Sequence, residues 1–170
     1  MAAFIALLRA VNVGGTGKLP MTELKAMCVA AGFAKVQTFI ASGNVVFESK
    51  DSPSKIKAKL EARLGSHAGK PVGVIVRTLE EMADILKFNP FPESNPSQTV
   101  AIFLDERPPA NTVQEVKGLE AEELRLGTRE IYVHYPEGIG QSKLRIPAAK
   151  NGTARNMNTV AKLVALAGKL

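Results

Sequence analysis

The chain opens on an unbroken apolar stretch, "AAFIALLRA" (residues 2–10), with no polar position before Arg9. A run of this kind predicts a strand buried on both faces, because a half-exposed strand would alternate. Met21, Leu24, Cys28 and Ala31 then recur at helical spacing behind Pro20, a residue that a first helical turn tolerates. Gly32 is placed to end that helix, with Phe33 positioned to pack back on it. "VQTFIA" and "VVFES" are β-rich stretches joined through Ser42, Gly43 and Asn44, a hairpin-type turn. Asp51-Ser52-Pro53 starts a second helix with Ile56, Leu60 and Leu64 on one face and Gly65 as its expected stop. "PVGVIVRT" supplies a fourth strand. Residues 1–78 therefore read β-α-β-β-α-β, the ferredoxin-like order.

Thr78 and Glu81 have capping-box spacing and predict a connecting helix as far as Lys87. The proline-laden "FNPFPESNPS" (88–97) is too broken to be regular and marks a boundary. After it the order restarts, with "TVAIFLD" as a strand and Pro109–Gly118 as a short helix. "EELRL" and "EIYVHY" form a hairpin turning at Gly127-Thr128, and the C-terminal end is helical. The expected fold is α+β: two tandem ferredoxin-like halves with mainly antiparallel sheets, the second lacking its last strand. The organisation is a first half (1–78), a connecting helix and Pro-rich linker (79–97), and a second half (98–170) with a basic C-terminal helix, all in one compact unit.

Apolar content of 45% and charged content of 22% in 170 residues fit a soluble globular chain. The single cysteine, Cys28, excludes an internal disulfide framework and suits a reducing compartment. No basic leader with a small-residue cleavage site opens the sequence, and no run is long enough to span a bilayer. A cytoplasmic protein without membrane partners is expected.

Charge is distributed unevenly. Residues 1–78 carry eleven Lys/Arg against four Asp/Glu, residues 79–137 five against twelve, and residues 138–170 six against none, within a net charge of +6. Two basic segments flank an acidic one. They either complement it across an internal surface or form a shared patch for phosphate or nucleic acid.

The sharpest candidate for chemistry is "RAVNVGGTGKLP" (9–20), glycine-rich between a strand and a helix. It fails the phosphate-loop pattern, since Asn12 stands where the first glycine belongs and Leu19 where Ser/Thr would hold magnesium. It fails the dinucleotide pattern because Pro20 occupies the third glycine. Two readings remain: backbone N–H groups that favour an anion, or glycines that allow a tight β-to-α connection. In a ferredoxin-like sheet the first two strands run the same way, which brings this loop and the 42–44 turn to one edge. Arg9, Asn12, Lys18, Ser42 and Asn44 would then converge as hydrogen-bond donors without a carboxylate, or Asn12 and Asn44 would bond local backbone. A second constellation lies in "GQSKLRIP" and "NGTARNMNTVAKL", where Lys143, Arg155 and Asn156 complete the ligand-binding candidates. Thr153, Asn156 and Asn158 compete for the N-cap of the last helix.

Catalysis finds little support. His67 and His134 have no partner motif, Cys28 occupies a core position, and no His/Cys/Asp/Glu spacing marks a metal site or a cofactor. An enzyme working by electrostatic positioning stays open. RNA binding in the recognition-motif manner is excluded: residues 4–8 and 72–76 are apolar or glycine on both sides, and Phe47 is the one aromatic in the third strand.

"FIALLRAVNVGG", "LPMTELKAM", "TFIASGNVVF", "NPF", "SKL" and "GTARNMNTVAKL", in this order over nearly the whole chain, resemble a bacterial family, domain of unknown function 1697. The resemblance implies an α+β fold with duplicated ferredoxin-like halves and carries no activity, cofactor or catalytic residue. Ala10 departs from the glycine usual in the family pattern, and Met157 from its tryptophan. The expectation is a protein that binds a small phosphate- or carboxylate-bearing ligand at a basic edge. The alternatives are a nucleic-acid-binding protein, an enzyme acting on a phosphorylated metabolite, and a structural or protein-interaction module. Nothing in the sequence sets its oligomeric state.

Overall fold

A computed structural model of the chain describes residues 1–9, 19–39 and 43–170. Its elements are β1 (Ala2–Leu8), α1 (Met21–Ala30), β2 (Ala34–Phe39), β3 (Asn44–Ser49), α2 (Pro53–Ala68), β4 (Val74–Thr78) and α3 (Leu79–Lys87). They continue as β5 (Thr99–Phe103), β6 (Glu123–Leu126), β7 (Glu130–His134), β8 (Thr153–Asn156) and α4 (Met157–Ala167). The strands form two four-stranded sheets, ordered β2-β3-β1-β4 and β6-β7-β5-β8. Every neighbouring pair is antiparallel. The chain divides into two compact units, Met1–Asp84 with Lys162–Leu170, and Ile85–Ala161.

In the first unit β1 is central. Register pairs Phe4 with Phe47 and Ala6 with Val45 on one side, and Ala6 with Val76 on the other. Phe4, Ala6 and Leu8 point to the face covered by Leu24 and Cys28 of α1 and by Ile56, Leu60 and Leu64 of α2. Ile5, Leu7, Val46 and Ile75, on the opposite face, are buried too. The apolar run thus lies between two covered faces, as its lack of alternation requires.

Local chemistry sets the ends of these elements. Gly32 adopts φ +93 and donates to Val29 O, while Phe33 N donates to Cys28 O at 3.1 Å. This is the Schellman pattern, and its C″ residue Phe33 is buried and stacks on Phe47 with centroids 4.4 Å apart. The last carbonyls of α1 have no basic side chain of their own helix. Lys59 and Arg63 of α2 supply it, donating to Ala31 O at 3.2 Å and Ala30 O at 3.1 Å. Ser52 caps α2, accepting from Lys55 N. That helix runs past the expected stop at Gly65 and ends at Gly69, φ +70. Gly65 stays helical because left-handed backbone is needed only where the helix terminates. Thr78 and Glu81 form the reciprocal capping box, at 2.9 and 3.1 Å.

Two expectations for the second half are corrected. Residues 109–118 form no helix but a series of turns, with Thr112 and Gln114 N–H groups bonding back three residues. Gly118 then takes φ +70. The last strand is present: β8 pairs antiparallel with β5, setting Arg155 opposite Ala101 and Thr153 opposite Phe103. Its residues, Thr-Ala-Arg-Asn, lack an apolar alternation, so periodicity assigns them to the approach to α4. The core of this unit joins Val100, Ile102, Ile131 and Val133 to Val116, Leu144 and Ile146 from irregular segments.

Among the described residues no helix is long and apolar enough to cross a membrane. Cys28 is buried, and burial pushes its thiol up to about 12.

Asp51 anchors the Lys59 that reaches α1, accepting from its Nζ at 2.6 Å, with Lys55 Nζ 3.5 Å away. The Lys59 hydrogen bond foremost, and the Lys55 charge, hold its carboxyl below the usual value of 3.8, against a smaller opposing effect of burial. A lowered folded-state value means that the stabilisation is complete above the unfolded value and is lost as pH falls through the folded one. Asp51→Asn should therefore lower urea stability at pH 7, and the gap to wild type should close below about pH 4. A gap independent of pH between 7 and 3 would show that the charge is not its source.

Candidate functional site

The sequence candidates fall into both units. Asn12, Lys18 and Ser42 lie outside the described residues, as does Ala10. Arg9 and Asn44 belong to the first unit; Lys143, Arg155 and Asn156 belong to the second.

Arg9 follows the last residue of β1. Its N–H donates to Gly73 O at 2.9 Å, one strand away from Leu8 N donating to Gly43 O. The starts of β3 and β4 thus flank it. The Arg9 stem lies over Gly73, where a Cβ would come within 3.1 Å of Arg9 Cδ. Asn44 is buried, and its Nδ2 donates to Phe39 O at 3.0 Å, closing the β2–β3 hairpin from within. That contact is the local-backbone duty that competes with ligand binding at such a turn.

In the second unit Asn156 Oδ1 accepts from Thr159 N at 2.9 Å, which makes it the N-cap of α4. Met157, the first residue of that helix, is buried, so it packs as a core residue. Arg155 is only 8% exposed. Its Nη1 donates to Thr153 Oγ1 at 2.7 Å and to Ala154 O at 2.9 Å. Burial brings the guanidinium down to about 10.

Lys143 is different. It belongs to a segment that pairs with residues around Lys117 in an isolated antiparallel bridge. Lys117 N donates to Arg145 O at 2.9 Å and Arg145 N to Lys117 O at 2.7 Å. Val116, Leu144 and Ile146 pack on the core of the unit, while Lys117, Lys143 and Arg145 are exposed. The bridge is therefore a two-sided ribbon, apolar inside and cationic outside. None of its three cations makes an ion pair with a described residue. Hydrogen-bonded opposite residues lie about 5.5 Å apart at Cα, and alternate residues of an extended chain about 7 Å apart.

The approach of the two segments depends on Gly118. A Cβ there would collide with the Lys143 carbonyl, and the backbone is left-handed at φ +70. A carboxylate lies one residue along: Glu122 Oε2 accepts from Ser142 Oγ at 2.6 Å. That hydroxyl first, then the N–H groups of Glu120 and Glu122, hold the Glu122 carboxyl below the usual range. Its charge, together with burial as the larger cause, raises the Tyr135 phenol.

Lys117 is absent from the candidates read from sequence, and Arg145, within the "GQSKLRIP" constellation, is not among the residues singled out for binding. Lys117 falls in the stretch assigned to a helix, which would put it beside different neighbours. The signal that reveals the pair is the alternation Val116-Lys117 and Lys143-Leu144-Arg145-Ile146, a two-residue period too short to register as a strand by itself. Among the described residues no group of three His, Cys, Asp or Glu could hold a metal ion.

The profile of the family "Protein of unknown function (DUF1697)" matches residues 1–132. No curated protein matches the chain. A solved structure, that of conserved bacterial protein SP0830 from Streptococcus pneumoniae, is similar with a TM-score of 0.81 and 26% identity, over 98% of each chain.

Gly118→Ala should cost at least ~2 kcal/mol, combining about 1–2 kcal/mol for left-handed backbone with displacement of the Lys143 carbonyl. Urea denaturation measures this. A cost below ~1 kcal/mol would mean that the bridge yields without consequence.

Proposed function

The chain belongs to the DUF1697 family of proteins of unknown function, and from that premise we propose that it binds phosphate-bearing anions. The single observation that carries the reading is the bridge, which presents Lys117, Lys143 and Arg145 to solvent with no ion-pair partner among the described residues. Arg145 offers the planar fork that suits phosphate oxygens, and the two lysines add mobile point charges. The other described polar candidates of this unit have local duties: Arg155 is turned to its own strand and Asn156 caps α4. Lys143 is thus the sequence candidate that belongs to the site.

Two further parts of the reading concern fold and place. The shared strand order of the two sheets supports two tandem ferredoxin-like units descended from one duplicated element. The lone, buried Cys28 suits a reducing cytoplasm.

Retention on phosphocellulose in a salt gradient tests the function. Lys117→Ala with Lys143→Ala and Arg145→Ala should elute at clearly lower salt than wild type. A charge-matched control, Lys25→Ala with Lys50→Ala and Lys169→Ala, removes three exposed cations elsewhere and should elute later than the bridge variant. Equal elution of the two variants would reduce the effect to net charge and overturn the reading.

A further inference from the structure

We infer, resting on that reading, that the anion is a polymer: a nucleic-acid strand held through consecutive phosphates and not through its bases. The argument begins with the shape of the ribbon. Lys117, Lys143 and Arg145 are all exposed and lie on the outer side of a paired, extended segment. A small ligand is normally gripped by surrounding walls that strip away most of its water. Here the three cations form an open, right-angled cluster with Arg145 at its corner, about 5.5 Å from Lys117 across the bridge and about 7 Å from Lys143 along the chain at Cα. That spacing is of the same order as the distance between successive phosphates of a strand. Such an open cluster engages several charges of one chain, each weakly, and its strength comes from released counterions.

The chemistry also indicates what is not read. Base recognition on a single strand uses aromatic stacking platforms. The sequence has no tryptophan, Phe103 and Tyr132 of the second sheet are buried while Phe88 is exposed, and the bridge segments around Lys117 and 143–146 contain no aromatic residue. The outer side of the bridge carries three cationic side chains, and the exposed apolar residue beside it, Leu119, is a single aliphatic side chain and not the aromatic anchor that centres protein interfaces. The backbone N–H groups of Lys117 and Arg145 are consumed by the bridge itself, so these two residues make contact through their side chains. Binding is therefore indifferent to sequence and steep in salt.

The test is fluorescence anisotropy of a labelled oligouridylate about 12 nucleotides long, with an oligoadenylate of the same length, between about 50 and 200 mM salt. Engagement of about three phosphates predicts a log–log salt slope of about −2 for a single strand, hence roughly a 20-fold loss of affinity over that range. Uridylate and adenylate should bind alike. Arg145→Ala should flatten the slope by about 0.7, and the triple bridge variant should lose binding while the charge-matched control retains it. Circular dichroism checks that the variants stay folded. Absence of strand binding at low salt, with the phosphocellulose difference intact, overturns the polymer and leaves the anion reading standing. Loss of the phosphocellulose difference overturns the anion reading itself. Equal strand binding by the bridge and control variants overturns the site. Displacement of the strand by an equal charge concentration of oligoglutamate would assign the surface to an acidic peptide instead.

Discussion

Burial of both faces of the central strand β1 is the constraint on which the rest of the first unit depends. Phe4, Ala6 and Leu8 meet the helices on one side, and Ile5 and Leu7 are fully buried on the other. No position on such a strand can carry a solvated functional group, because an uncompensated polar group there costs a few kcal/mol, about 1–3 by mutational estimates. Chemistry is pushed to the strand ends, where Arg9 lies. Polar residues that do occur inside, such as Asn44, are held by backbone acceptors and act as fasteners.

What could be read from the sequence follows the range over which each signal acts. The end of α1 was legible because its causes are adjacent: Gly32 must supply the left-handed residue, and Phe33 must find a place in the core. The Thr78–Glu81 capping box was legible for the same reason. Strand β8 was not, since its four residues have no apolar period and it exists only by pairing with β5, some fifty residues earlier in the chain. The 109–118 stretch misled in the opposite direction. Its composition allows a helix, yet the turn at Thr112 and the left-handed Gly118 bend it into register with residues 143–145.

The same distinction sorts the candidate site. Sequence identifies donors by type and cannot tell which are already engaged. Arg155 and Lys143 look equivalent in a basic segment, but one is buried and hydrogen-bonded to Thr153 and Ala154 and the other is in water. Desolvation lowers the Arg155 value to about 10, which leaves it charged at neutral pH. Its charge therefore stabilises local backbone and hydroxyl dipoles. Lys117 gains its place only through a bridge to a segment nearly thirty residues away, so no local motif could have nominated it.

The two sheets share one strand order and differ in what covers them. In the first unit α1 and α2 lie over the packed face, and a helix shows solvent a curved surface whose cations are drawn to nearby carbonyls. Lys59 and Arg63 are spent on the end of α1 in just this way. In the second unit the corresponding apolar face is covered by irregular chain carrying Val116, Leu144 and Ile146. Extended chain alternates, so each apolar residue that enters the core turns its neighbour outward. Lys117, Lys143 and Arg145 are those neighbours, and the bridge itself pairs the backbone groups of Lys117 and Arg145. Cover by extended chain and an exposed cationic cluster thus have one cause: the packing demand that fixes the ribbon's inner side leaves its outer side free to be charged.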